Sequence, residues 1–146
     1  MERTPGPRVT RIAGAEYAAA LPAEKHVFLV GDLQRATSYP FLRDERLEVV
    51  LVAYEAGDDG RHHWHPEVTE YGLVLEGEIG YFEVATGAVH WFGAGDFFAI
   101  PAGACVKRVI RRPARGLTLK VPSAAIKIHC ERCARDCSVR TAPFAG

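Results

Sequence analysis

Between Gly60 and Gly72 the chain reads GRHHWHPEVTEYG, with histidines at 62, 63 and 65 and carboxylates at 67 and 70. Imidazole and carboxylate are the donors that hold Fe(II), Mn(II), Ni(II), Co(II) or Zn(II), so the question is which of these side chains can face a common point. Alternation along an extended strand sends His63 and His65 to one face, and His62 and Trp64 to the other. An H-x-H pair is thus a two-imidazole clamp. Glu70 opens the next apolar run, YGLVLE, after a connection through Pro66 that can turn the chain back, and it offers a carboxylate as the third donor. Residue types alone do not choose the metal.

The elements that must position these groups read as strands. From Lys25 onward, short apolar or alternating runs are separated by turn residues: HVFLV, LEVVLVAYEA, YGLVLEG, IGYFEV, VHWF, FFAI, CVKRVI and LTLKVP. This is an antiparallel all-β pattern without helical connections, and it fits a sandwich or a small jelly-roll barrel. The joins at Gly77 and at Thr86-Gly87 read as hairpins. GAEYAAAL, from Gly14 to Leu21, predicts one short N-terminal helix ending at Pro22. After Pro122 no strand is predicted.

A chain of 146 residues suits a single domain, 1–146, with a strand-rich core at about 45–122 and a cysteine-containing tail at 123–146. No apolar run approaches the roughly 20 residues of a membrane span. The opening MERTPGPRVTRIAG lacks the apolar core of a secretory signal, so the expected location is cytoplasmic, with no membrane partner and with cysteines free or metal-bound. Eighteen basic and eighteen acidic residues cancel, which removes the field of a nonspecific nucleic-acid binder, and no nucleic-acid partner is expected. The sum hides an asymmetry: residues 107–146 hold ten Lys or Arg against Glu131 and Asp136. We read this as solvated charge offsetting something negative nearby, with a patch for an anionic partner as the alternative.

Gly57, five residues, His63, one residue, His65, four residues, Glu70, six residues and Gly77 reproduce the first motif of the cupin superfamily, and Gly95, Pro101 and Gly103 begin the second. The chain therefore resembles a cupin over residues 57–106. The resemblance implies a double-stranded β-helix with a metal in the mouth of the barrel, held by His63, His65 and Glu70. Where the family's second motif supplies a further histidine ligand this chain has Val106, and where it has a later asparagine this chain has Ile110. Three protein ligands leave open positions on the metal, as in non-haem Fe(II) oxygenases. If Val106 faces the interior, Arg108 does too, two residues along the strand. Arg108 is then a candidate for binding a substrate carboxylate or phosphate, the alternative being a pairing with an acidic side chain or solvent. The aromatics Tyr81, Phe82, Trp91, Phe92, Phe97 and Phe98 read as packing residues.

Cys130, Cys133 and Cys137 have the spacing of metal ligands. Cys105, facing outward by the same parity, would complete a tetrathiolate structural zinc site, with His129 as the rival fourth ligand. Some bacterial members of the 3-hydroxyanthranilate dioxygenase family, also cupins, carry a C-terminal cysteine-ligated metal, and the tail resembles theirs in part. Taken together, the resemblance implies a metal-dependent oxidoreductase, most simply an Fe(II) oxygenase or dioxygenase acting on a small, carboxylate-bearing molecule. A non-redox cupin using Zn(II), Ni(II) or Mn(II), such as an isomerase, lyase or cyclase, and a metabolite-binding cupin are the alternatives. A homodimer is expected, with residues 1–50 supplying a swapped or paired strand.

Overall fold

In strand β4 (Glu48–Tyr54) every second side chain is buried, namely Glu48, Val50, Val52 and Tyr54, while those between stay half-exposed. A strand of this kind covers a core with one face only, so strands of this pattern pair into two sheets packed face to face. The computed structural model describes residues 2–3, 7–124 and 126–129, and all eight runs picked out by alternation are strands in it. One sheet contains β1 (Glu2–Arg3), β3 (Phe41–Arg43), β2 (His26–Gly31), β4, β11 (Ala114–Val121), β6 (Thr69–Glu76) and β9 (Phe97–Ile100), in that order. The other runs β12 (Ile128–His129), β5 (His63–Trp64), β10 (Val106–Val109), β7 (Glu78–Glu83) and β8 (Ala88–Gly93). Between them Val50, Val52, Val74, Ile79, Phe98 and Val106 form the core. This is the expected jelly roll.

Three expectations change. Gly77 does not close a hairpin, because β6 and β7 lie in different sheets and Gly77 is the corner between them. Its φ is +73°, and a Cβ there would lie 2.1 Å from the Pro113 carbonyl oxygen, so only glycine turns this corner without strain. The join at Thr86-Gly87 is a hairpin, with β7 and β8 paired from Glu83↔Ala88 onward. The predicted helix is instead a 3-10 turn at Gly14–Glu16 followed by α1 (Ala20–Glu24). Pro22 falls within the first turn of α1, where its missing N–H has no helical acceptor to lose, so it does not end the helix. The tail is not strandless either, since β12 pairs with β5 through Ile128↔Trp64 and His129↔His63. A two-residue strand is too short to show in a periodic pattern.

Residues 1–50 add β1, β2 and β3 to the chain's own larger sheet. Some of the basic residues after 106 meet carboxylates that precede them in the chain: Arg111 and Arg112 converge on Glu78 at 2.7 and 3.2 Å, and Lys120 lies 4.0 Å from Glu48. Among the described residues no helix is long and apolar enough to cross a membrane.

Candidate functional site

Strand register builds one wall of the site. Lys120 on β11 is paired with Glu48 on β4 and with Glu70 on β6, which in turn is paired with Ile100 on β9. Glu48 and Glu70 are among the few buried charged side chains, at 6% and 8% exposure. The row thus runs carboxylate, ammonium, carboxylate, and the cation between them offsets the cost of burying two anions.

The opposite wall carries the imidazoles. His63 and His65 meet edge to face with ring centroids 5.3 Å apart, and both line a small cavity of about 50 Å³ together with Glu70. His63 Nδ1 bonds the Arg61 carbonyl at 2.8 Å, and His65 Nδ1 bonds the Ile126 carbonyl at 3.0 Å. A carbonyl only accepts, so Nδ1 holds the proton in both rings and Nε2 keeps a lone pair. His65 Nε2 is buried without a hydrogen-bond partner. Burial pushes His63 down to about 3 and lowers His65 as well, which keeps both rings in the neutral form that coordinates metals. His62 lies on the other face, edge-on to Phe82 at 5.8 Å, as alternation requires. Val106 is buried in the core cluster beside Tyr54 and Tyr81.

A second polar group enters the same cavity from residues the sequence reading did not select. His26 bonds the Tyr54 hydroxyl through Nε2 at 2.9 Å, and it also bonds the Glu24 backbone. Arg108 Nη1 donates to the same hydroxyl at 3.2 Å, its Nε donates to the Asp58 carbonyl at 3.0 Å, and its guanidinium lies 4.2 Å from the centre of the Tyr54 ring. Since Arg108 can only donate, Tyr54 accepts from it and passes its own proton toward His26 Nε2. Arg108 does face the cavity, as parity implied, but two of its donors orient Tyr54 and the Asp58 loop. Burial raises Tyr54 to about 12 and lowers His26 to about 4, so both are neutral near pH 7.

An outer cavity of about 340 Å³ shares His65, Lys120 and Lys127 with the inner one and adds Phe28, Leu33 and Arg35 to its walls. The segment after Pro122 borders it as a strap. Ser123 Oγ accepts from the Asp32 N–H at 2.8 Å and donates to Glu48 at 3.2 Å, and Ile126 supplies the carbonyl that orients His65. A larger cavity of about 540 Å³ lies elsewhere, between the N-terminal helix and the outer face of the larger sheet, and no histidine lines it.

Among the described residues no three His, Cys, Asp or Glu side chains converge to coordinating distance. The donor set of two neutral imidazoles and a buried carboxylate nevertheless suits a divalent transition metal, and the unpartnered His65 Nε2 is a polar atom that such an ion would satisfy. His63, His65 and Glu70 line one cavity. Cys105 packs outward with Phe82 and Val84, as parity implied, but it is disulfide-bonded rather than a free thiolate. A half-cystine has no thiolate to give, so Cys105 cannot be a zinc ligand in this state. Cys130, Cys133 and Cys137 lie outside the described residues, and the likeness to the 3-hydroxyanthranilate dioxygenases rests on them. The rival ligand His129 pairs through its backbone with His63.

Residues 50–110 match the family described as the cupin domain, a span that contains His63, His65, Glu70 and Val106. Those residues form a cupin domain. The cupin barrel resembles the DMSP lyase DddQ from Ruegeria pomeroyi DSS-3, with a TM-score of 0.57 and 22% identity over 72% of this chain and 50% of that one. It also resembles the polyketide cyclase RemF from Streptomyces resistomycificus, with a TM-score of 0.58 and 20% identity over 72% of this chain and 69% of that one. For KdgF from Halomonas sp. the values are 0.50 and 23%, over 56% of this chain and 74% of that one. At these identities the likeness establishes the fold. The chain spans half the length of DddQ. No curated protein matches the sequence.

The buried neutral His26 has a consequence for stability. Its folded value of about 4 lies below the 6.5 of a free imidazole, so the unfolded chain binds the extra proton, and stability is complete above pH 6.5 and lost as pH falls toward 4. Urea unfolding of metal-free protein at pH 7.5 and 4.5 should show a loss that is smaller by about 2–3 kcal/mol in His26→Gln. An equal loss in both proteins would contradict a neutral His26.

Proposed function

We propose that this cupin barrel is a metal-dependent enzyme acting on a small organic molecule, with His63, His65 and Glu70 as its metal ligands. The observation that carries the reading is the shared inner cavity, lined by two imidazoles with lone pairs on Nε2 and by a buried carboxylate. A divalent ion held by such a set keeps open positions, which supply dioxygen chemistry with Fe(II) or Lewis-acid polarisation with Zn(II), Ni(II) or Mn(II). We favour the Fe(II) oxygenase or dioxygenase version, because Val106 in place of a further imidazole leaves more than one position open.

The chain's own residues then have definite tasks. The carbonyls of Arg61 and Ile126 hold the imidazoles in one tautomer, an arrangement whose loss elsewhere costs about 10- to 100-fold in metal affinity. Val52 and Tyr81 supply the apolar part of the inner cavity's wall. Tyr54, fixed between Arg108 and His26, holds a proton that can move to or from a bound molecule. That phenol favours a second reading, a non-redox lyase, isomerase or cyclase in which Tyr54 transfers the proton.

For a partner we propose a second copy of the chain. Tyr71 and Phe97 stack at 6.0 Å on the outer face of β6 and β9, and Phe97, Leu75 and Tyr71 are 62%, 47% and 37% exposed. Aromatic and aliphatic side chains clustered on an edge of a sheet in this way are the composition of an interface core.

Two measurements test these readings. Protein purified anaerobically and supplied with Fe(II) should hold one ion in the barrel, and His63→Ala or Glu70→Gln should lower its affinity by about 100-fold or more. Oxygen uptake with a panel of aromatic and thiol acids supports the oxygenase, turnover without uptake supports the proton-transfer enzyme, and failure of the wild-type protein to bind any divalent transition metal overturns both. Sedimentation should give a dimer for the wild type and a monomer for Phe97→Glu; a wild-type monomer at high concentration would contradict the interface.

A further inference from the structure

The cations of the two joined cavities are not equally engaged. Arg108 directs Nε and Nη1 to the Asp58 carbonyl and the Tyr54 hydroxyl. Lys120 is held by register between Glu48 and Glu70 and lies 4.0 Å from the former. Asp32, a further carboxylate on the outer wall, is paired with Arg43. Lys127 arrives on the strap, lines both cavities, and has no hydrogen bond or ion pair with any described residue. The inner cavity therefore gathers Arg108, Lys120 and Lys127 around Glu70, and with Lys120 already shared between Glu48 and Glu70, Lys127 is the ammonium left without an ion pair among the described residues. A partly buried ammonium without a paired counter-charge is costly, and a bound anion relieves that cost.

We propose that Lys127, backed by Lys120, is the recognition point for the carboxylate of a small ligand whose apolar body rests on Phe28 in the outer cavity. The inference deepens the reading of this cavity as the substrate site, and it moves the carboxylate-binding role from Arg108 to the strap. The place is right for it. Lys127 sits where the two cavities join, so a carboxylate on its ammonium lies beside His65 while the rest of the molecule fills about 340 Å³ of vestibule. Phe28 presents a ring already flanked by Arg35 at 5.2 Å and Lys120 at 5.9 Å, a surface suited to a flat apolar body bearing negative charge. The same strap orients His65 through the Ile126 carbonyl, so the segment that binds the anion also aligns an imidazole.

The test uses benzoate and its neutral isostere benzamide on the full chain stripped of metal by a chelator, with binding followed by NMR titration. Benzoate should bind and benzamide should not. Lys127→Gln should weaken benzoate by about tenfold or more, the loss of a charge-assisted contact, and Lys127→Arg should restore most of it. Unfolding curves for each variant show that the barrel is intact. Equal binding of benzamide and benzoate, or benzoate binding unchanged in Lys127→Gln, would overturn the proposal. A parallel titration with Co(II) separates the two ideas: benzoate binding without Co(II) binding leaves the anion site standing and removes the metal, and Co(II) binding without benzoate binding does the reverse.

Discussion

Strand alternation forces the Glu70 carboxylate into the interior of the barrel, and much of the site follows from accommodating it. On β6 the inward positions are Glu70, Gly72 and Val74, and the Glu70 side chain is buried at 8% exposure. A buried carboxylate demands compensation. Register provides the first part by placing Lys120 between Glu70 and Glu48. The facing sheet offers His63 and His65 as neutral donors, which compensate nothing by themselves and make sense beside a cation that both imidazoles and the carboxylate can share. The glycines of the motif serve the same end, since Gly77 turns β6 into the opposite sheet and so closes the barrel around the carboxylate.

The strap gives the site its second half. The described residues of this segment, 123–124 and 126–129, add no sizeable side chain to the core, yet they anchor Asp32 and Glu48 through Ser123, orient His65 through Ile126, bring Lys127 to the cavity junction and add a short strand beside His63. A segment held by a few specific hydrogen bonds rather than by burial is less tightly bound than a core strand. In the proposed reading, metal alignment and anion recognition are two properties of one segment.

Much of the barrel was legible in the sequence because a half-buried strand writes its two faces into alternate residues. The eight strands, the separation of His62 from His63 and His65, and the inward placing of Val106 and Arg108 all follow from that period of two. What stayed hidden depends on contacts distant in sequence. Periodicity shows where a strand is but not which strand it pairs with, so Gly77 read as a hairpin although it is a corner between sheets. His26 and Tyr54 meet only because β2 lies beside β4, and neither falls in a metal-binding pattern. Lys127 precedes a strand of two residues, too short for any pattern to announce. Cys105 was assigned its outward face correctly, but its bonding state could not be read from parity.

The family match covers residues 50–110 and leaves the reaction to this chain's own departures, above all Val106. The central claim is that His63, His65 and Glu70 share a metal ion in the inner cavity. Anomalous diffraction from a crystal soaked in the metal, recorded at that metal's absorption edge, tests it most directly. The expected result is one peak in the inner cavity, about 2.0–2.2 Å from a nitrogen of each imidazole and from a Glu70 oxygen. A fully loaded crystal with its only peak elsewhere, or with the three side chains still turned apart, would contradict the account.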